Sequence, residues 1–216
     1  MFFYLALFSH LSALPFLIYY IFKIRVFSRD LRFESLVFLY VFFSFLIDTI
    51  NLVVIKFDLR LNINVITNFY TLISFVILIL IFHNISKWIN FYRKTVNIIF
   101  LFILILNCIL LYYNYNSLNT QICVVSYSLF FLISFIFILK SMFWNQNNIP
   151  IFSIYFLSGI CLFSICSLIP FLFEKFSTSL KENYFISEII WSQMLVSNIL
   201  KNTILTVGLW KNKEVY

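Results

Sequence analysis

The stretch ISEIIWSQMLVSNILKNTILTVGLW, residues 186–210, sets Glu188, Asn198, Lys201 and Asn202 in a segment otherwise apolar enough to cross a bilayer. A lysine near the centre of a spanning helix costs about 2.5–3.5 kcal/mol on insertion scales, so it is expected to face protein or water and to have a partner. Two further apolar stretches carry groups of the same kind. Residues 2–22 hold His10, and residues 33–55 hold Asp48 and Asn51. At helical rise, Lys201 lies about 15 Å from the cytoplasmic end of its stretch, His10 about 18 Å, Asn198 about 20 Å, Thr71 about 21 Å and Asp48 about 22 Å. The ionisable groups thus fall near one plane around the bilayer centre. An Asp48–Lys201 ion pair is the structural expectation, with Asn51, Asn198 and Asn202 meeting the remaining donors and acceptors. The substitutions Asp48→Asn and Lys201→Met, made singly and together, test that pair.

On the last stretch Glu188, Trp191, Leu195, Asn198 and Lys201/Asn202 recur at helical spacing and form one stripe. Glu188 sits near the outer end, where a carboxylate is cheap. Trp191 reads as core packing or as one wall of a cavity. Asn68 and Thr71, in the third apolar stretch, are the other candidates for facing such a cavity.

No residues are assigned catalytic or metal-binding roles. His10 and His83 are the only histidines, too few for the His and carboxylate clusters of membrane hydroxylases or zinc enzymes. HExxH, GxSxG and glycine-rich phosphate loops do not occur. A retinal Schiff base on Lys201 would want a counterion carboxylate in the third span, and none stands there. A His10–Asp48 acid–base couple acting on a lipid rests on two residues without a motif. No cofactor is called for.

These residues need elements to position them, and composition says which. Of 216 residues, 63% are apolar, 22% aromatic and 11% charged. A soluble domain sits near 45–50% apolar and about 25% charged, so composition alone points to a membrane protein. A spanning helix takes about 20 apolar residues. Seven stretches qualify: 2–22, 33–55, 65–85, 95–113, 122–139, 151–173 and 186–210. The expected fold is all-α, a polytopic seven-transmembrane-helix bundle forming a single domain over 1–216. Pro15 removes a backbone hydrogen bond inside the first span and is expected to kink it. That span lacks a basic leader and a small-residue cleavage site, so it reads as a retained helix.

Basic residues set the orientation. With the loop after the first span cytoplasmic, that side carries Lys23, Arg25, Arg29, Arg32, Lys87, Arg93, Lys94, Lys140, Lys211 and Lys213, against Lys56, Arg60, Lys175 and Lys181 opposite. The excess places the N-terminus outside and the C-terminus inside. The net charge of +7 follows from the same loops, and with no basic groove or stacking platform a nucleic-acid partner is not expected. Cys108, Cys123, Cys161 and Cys166 lie in or at the ends of apolar stretches without zinc spacing, and read as small buried hydrophobes.

Two segments, NFYTLISFVILILIF (68–82) and SNILKNTILTVGLWKNKE (197–214), carry a resemblance. The chain resembles small seven-helix integral membrane proteins of Bacteroidota, whose third helix reads like YTLIEFLLL and whose last helix ends in an Asn-rich turn and GLWK. Ser74 stands where that pattern has glutamate. The resemblance implies the architecture and an inner-membrane address, and no activity.

Three functions remain open from the sequence. The first is a non-enzymatic integral membrane component, an accessory subunit, sensor or small effector whose partners are the lipid bilayer and another membrane protein. The second is a small transporter or channel-like protein using the Asp48/Lys201 plane. The third is a lipid-active intramembrane enzyme.

Overall fold

A computed structural model of the chain describes residues 2–26, 32–57, 63–89, 93–113, 120–143, 149–179 and 184–211. Nearly all of them are helical, and no strand occurs among them. The segments are α1 (Phe2–Leu11), α2 (Leu14–Val26), α3 (Arg32–Phe57), α4 (Ile63–Ile89), α5 (Arg93–Tyr113), α6 (Thr120–Phe143), α7 (Ile151–Ser179) and α8 (Tyr184–Lys211). This is the fold that apolar runs of such length dictate. Hydrocarbon offers nothing to bond a bare N–H or C=O, so each segment satisfies its own backbone as a helix.

Among the described residues five stretches are long and apolar enough to cross a bilayer: Phe3–Phe22, Phe33–Val54, Val65–Ser86, Cys123–Phe143 and Ile151–Phe173. Phe100–Tyr113 in α5 is a shorter apolar helix. The chain is therefore an all-α, multi-pass membrane fold. Its core is apolar, yet it buries polar side chains and exposes large apolar ones more freely than a soluble protein does. Ser9, Ser44, Asn68, Ser126, Asn107, Ser197 and Lys201 are buried, while Phe8, Phe22, Leu101, Phe102, Phe135, Leu172 and Trp210 are exposed.

The first span is divided in two just before its proline. Pro15 has no N–H to give the Leu11 carbonyl and its ring crowds the preceding turn. The helix stops at Leu11 and resumes at Leu14. Ser12 N–H still reaches Phe8 O at 3.0 Å, and Ala13 N–H takes the tighter route to His10 O at 3.3 Å. Pro150 opens α7, its carbonyl accepting Ser153 N–H at 2.8 Å. Pro170 lies inside α7, which continues past it.

The chain divides into two compact units, Met1–Phe16 with Cys123–Tyr216, and Leu17–Ile122. In the first, α8 packs along α7 and against α1. In the second, α4 packs against α3 and α5. There Tyr20 donates to Ser35 Oγ at 2.8 Å and stacks on Phe38 with ring centroids 4.5 Å apart. Phe100 of α5 meets Phe75 and Phe82 of α4 at 6.2 and 5.9 Å.

Candidate functional site: the polar face of α8

Among the described side chains of α8 the buried positions are Ser197, Asn198, Lys201, Asn202, Leu205, Gly208 and Leu209, a run at three- and four-residue spacing. Val196, Leu200, Val207 and Trp210 occupy the exposed face. The helix is polar inward and apolar outward, which is why its mean polarity is high while its outward face still suits lipid.

Two asparagines tie this face to α1. Asn198 Nδ2 donates to Ser9 Oγ at 3.0 Å, and Asn202 Nδ2 donates to Ser12 Oγ at 2.8 Å. Ser12 in turn donates its hydroxyl to the Ser9 carbonyl. The bonds fall one turn apart on each helix, and the second lands on the break between α1 and α2. His10, buried beside Ser9, belongs to the same region.

Lys201 is only 1% exposed. Its ammonium lies 4.3 Å from the centroid of the Phe163 ring on α7. The ring face attracts a cation most strongly where water is scarce. Gly159, one turn before Phe163, faces the α8 backbone: a Cβ there would stand at ordinary contact, 3.5 Å from Lys201 O and 3.6 Å from Lys201 Cγ.

The α7–α8 register follows from matched contacts. Phe171 meets Trp191 edge-on at 5.6 Å, Phe163 meets Lys201, and Tyr155 meets Gly208. The helices run antiparallel, and one turn forward on α7 is one turn back on α8. This puts Ser164 level with Asn198 and Ser167 level with Leu195, to within a turn. Ser164 Oγ, Ser167 Oγ and Asn198 Oδ1 are all buried and none hydrogen-bonds another protein group.

The residues expected to act together divide between the units. His10, Trp191, Asn198, Lys201 and Asn202 lie in the first, and Asp48, Asn51, Asn68 and Thr71 in the second. Asp48, half-buried on α3, is near enough to Tyr40 and Tyr70 to act on both electrostatically, and Ser44 and Ser74 flank the Tyr70 hydroxyl. Asn51 is half-buried, with Oδ1 out of solvent and making no hydrogen bond. Asn68 and Thr71 are buried, and Thr71 returns its hydroxyl to Thr67 O at 2.9 Å. Trp191 is half-buried against Phe171. The Glu188 side chain lies outside the described residues.

Sequence reasoning did not select Ser9, Ser12, Phe163 or the Tyr40–Tyr70 pair as partners. Ser9 and Ser12 share a helix face at three-residue spacing, and Gly159, Phe163 and Ser167 share another at four. Those spacings were the available signal. Among the described residues no three His, Cys, Asp or Glu side chains gather as metal ligands would. Comparison finds no matching family model, no matching curated protein and no matching solved structure.

Proposed function

We propose that the protein is a non-enzymatic integral membrane component that works through partners in the bilayer. In this reading it spans the inner membrane seven times, α5 and α8 included, with its N-terminus outside and its C-terminus inside. The observation that carries it is the use to which the α8 stripe is put. Its asparagines are spent on α1 through the Asn198–Ser9 and Asn202–Ser12 bonds. Such interhelical bonds fix register. They leave outward faces of large apolar side chains, Ile98, Leu101, Phe102, Ile105 and Ile109 on α5 among them, for lipid and neighbouring helices.

Native mass spectrometry of the protein, extracted mildly from its host membrane, tests this reading. A stoichiometric protein partner is the expected result. A monomer carrying only lipid, under conditions that keep known complexes whole, overturns it. Reporter fusions at the two ends read the orientation.

A second reading, a small transporter or channel-like protein, is favoured by one observation: α7 and α8, the helices that bury Lys201, also bury Asn198 Oδ1, Ser164 Oγ and Ser167 Oγ without a protein partner. A permeating polar species would satisfy them in passing.

A further inference from the structure

We infer that Tyr127 of α6 positions the Phe163 ring beneath the Lys201 ammonium, so that the cation seat is built by three helices and α6 is tied to the charge on α8. This rests on neither functional reading and goes beyond both.

The Lys201 ammonium lies 4.3 Å from the Phe163 centroid. A phenyl ring attracts a cation over its face, while its rim carries partial positive charge and repels one. The seat therefore depends on the plane of the ring. Phenylalanine does not fix that plane by itself, because its last torsion is broad. A neighbour has to.

Tyr127 has the geometry for this. Its ring centroid stands 5.7 Å from that of Phe163 with the planes at 82°, and 5.7 Å from that of Phe171 with the planes at 18°. Phe163 and Phe171 are eight residues apart on α7, a rise of about 12 Å. The Tyr127 ring thus occupies the interval between them. Phe171 in turn meets Trp191 of α8 at 89°. Each plane is set against the next, from Trp191 through Phe171 and Tyr127 to Phe163. A quarter turn of Phe163 would bring its rim to the ammonium and break its edge-to-face contact with Tyr127 at once. The brace comes from a helix with packing of its own, for Cys123, Ser126, Phe130, Ser134 and Phe137 form a buried stripe along α6. All five members of the chain of contacts belong to one compact unit. Coupling between two groups is reciprocal. A charge that favours the braced ring holds the brace in return, so neutralising Lys201 loosens α6.

Fluorinated phenylalanines at position 163 test this, because each fluorine draws electron density from the ring face and leaves the side chain's shape nearly unchanged. Mono-, di- and trifluorophenylalanine are placed there in the full-length protein, and unfolding is measured by steric trapping in bicelles. The same series in Lys201→Met supplies the part of the response that owes nothing to the cation. With that part removed, the unfolding equilibrium constant is expected to rise about threefold per fluorine. Tyr127→Phe, which keeps the ring, should retain that slope, whereas Tyr127→Leu and Tyr127→Met should each cut it to less than about 1.5-fold per fluorine. A residue that only fills space would lower stability by one factor at every fluorine count and leave the slope alone. A wild-type slope no steeper than that of Lys201→Met overturns the seat. A full slope in Tyr127→Leu, or a lost one in Tyr127→Phe, overturns positioning by the Tyr127 ring.

Discussion

Two glycines face the same α7–α8 seam and should respond oppositely to one methyl group. A Cβ at Gly208 would stand 2.7 Å from Tyr155 Cγ and 3.2 Å from Phe152 Cδ2, and closer still to Tyr155 Cβ. Carbon atoms rest about 3.5–4.0 Å apart, so Gly208→Ala forces the helices apart by ~1 Å at that end. The obstacle is the root of the Tyr155 side chain, which no rotamer change removes. A gap of that size forfeits roughly a quarter to a half of each contact it opens. Overpacking of this kind costs about 1–3 kcal/mol. Against it stands the helix preference for alanine over glycine, roughly 0.5–1 kcal/mol. At Gly159 the nearest atoms to an added Cβ are 3.5, 3.6 and 3.7 Å away, which is ordinary contact. There the helix preference acts alone, and Gly159→Ala should be neutral to stabilising. Equilibrium unfolding by steric trapping in bicelles, with both variants in one lipid mixture, measures the difference. Gly208→Ala should fall below wild type and Gly159→Ala should not, the two separated by about 1–3 kcal/mol. If Gly208→Ala is as stable as Gly159→Ala, the close approach of α8 to Tyr155 is wrong, and the register built on it with it.

Other expectations follow from the same contacts. A double-mutant cycle on Asn198→Ala and Ser9→Ala should return a coupling near 0.6 kcal/mol and no more than about 1.7, the range of interhelical bonds in membranes; additivity would remove the bond. The cycle on Asn202→Ala and Ser12→Ala should behave alike, whereas Asn202→Ala with Ser9→Ala should couple less than either matched pair. Phe171→Leu and Trp191→Leu should couple by about 0.5–1.5 kcal/mol, the usual worth of an edge-to-face pair; a zero would separate the ends of α7 and α8. Thr203→Val, which removes an exposed hydroxyl already returned to Ile199 O, should change stability by less than about 0.5 kcal/mol in the same assay.

Which parts of this could be read from residues alone follows from the range of the forces. Helices were legible because hydrocarbon enforces them run by run, and the proline break in the first span because Pro15 acts on its own turn. Asn198, Lys201 and Asn202 were legible as inward-facing because charge and amide groups are expensive in lipid wherever they stand. Their partners were not. Ser9 and Asn198 lie 189 residues apart, and nothing in either neighbourhood names the other. The Phe163 ring was hidden for a different reason: one of thirty phenylalanines does not stand out until the register brings it under an ammonium. Among the described residues α8 is not one of the five stretches that qualify by composition, because the same polar stripe that made it conspicuous lowers its mean hydropathy.

The two bonds between α1 and α8 also set a clock for biogenesis. Asn198 and Asn202 are made 189 and 190 residues after the serines they bond. At about 5–20 residues per second, synthesis leaves Ser9 and Ser12 waiting roughly 10–40 s for their partners. During that interval the first helix stands in the membrane with its polar face uncovered. Each serine can meanwhile return its hydroxyl to a carbonyl of its own helix, as Ser12 does to Ser9 O, so the first span can wait in the membrane until the last one arrives. Truncation before Asn198 should therefore leave a first span that still inserts but lacks the two bonds that fix its register against α8.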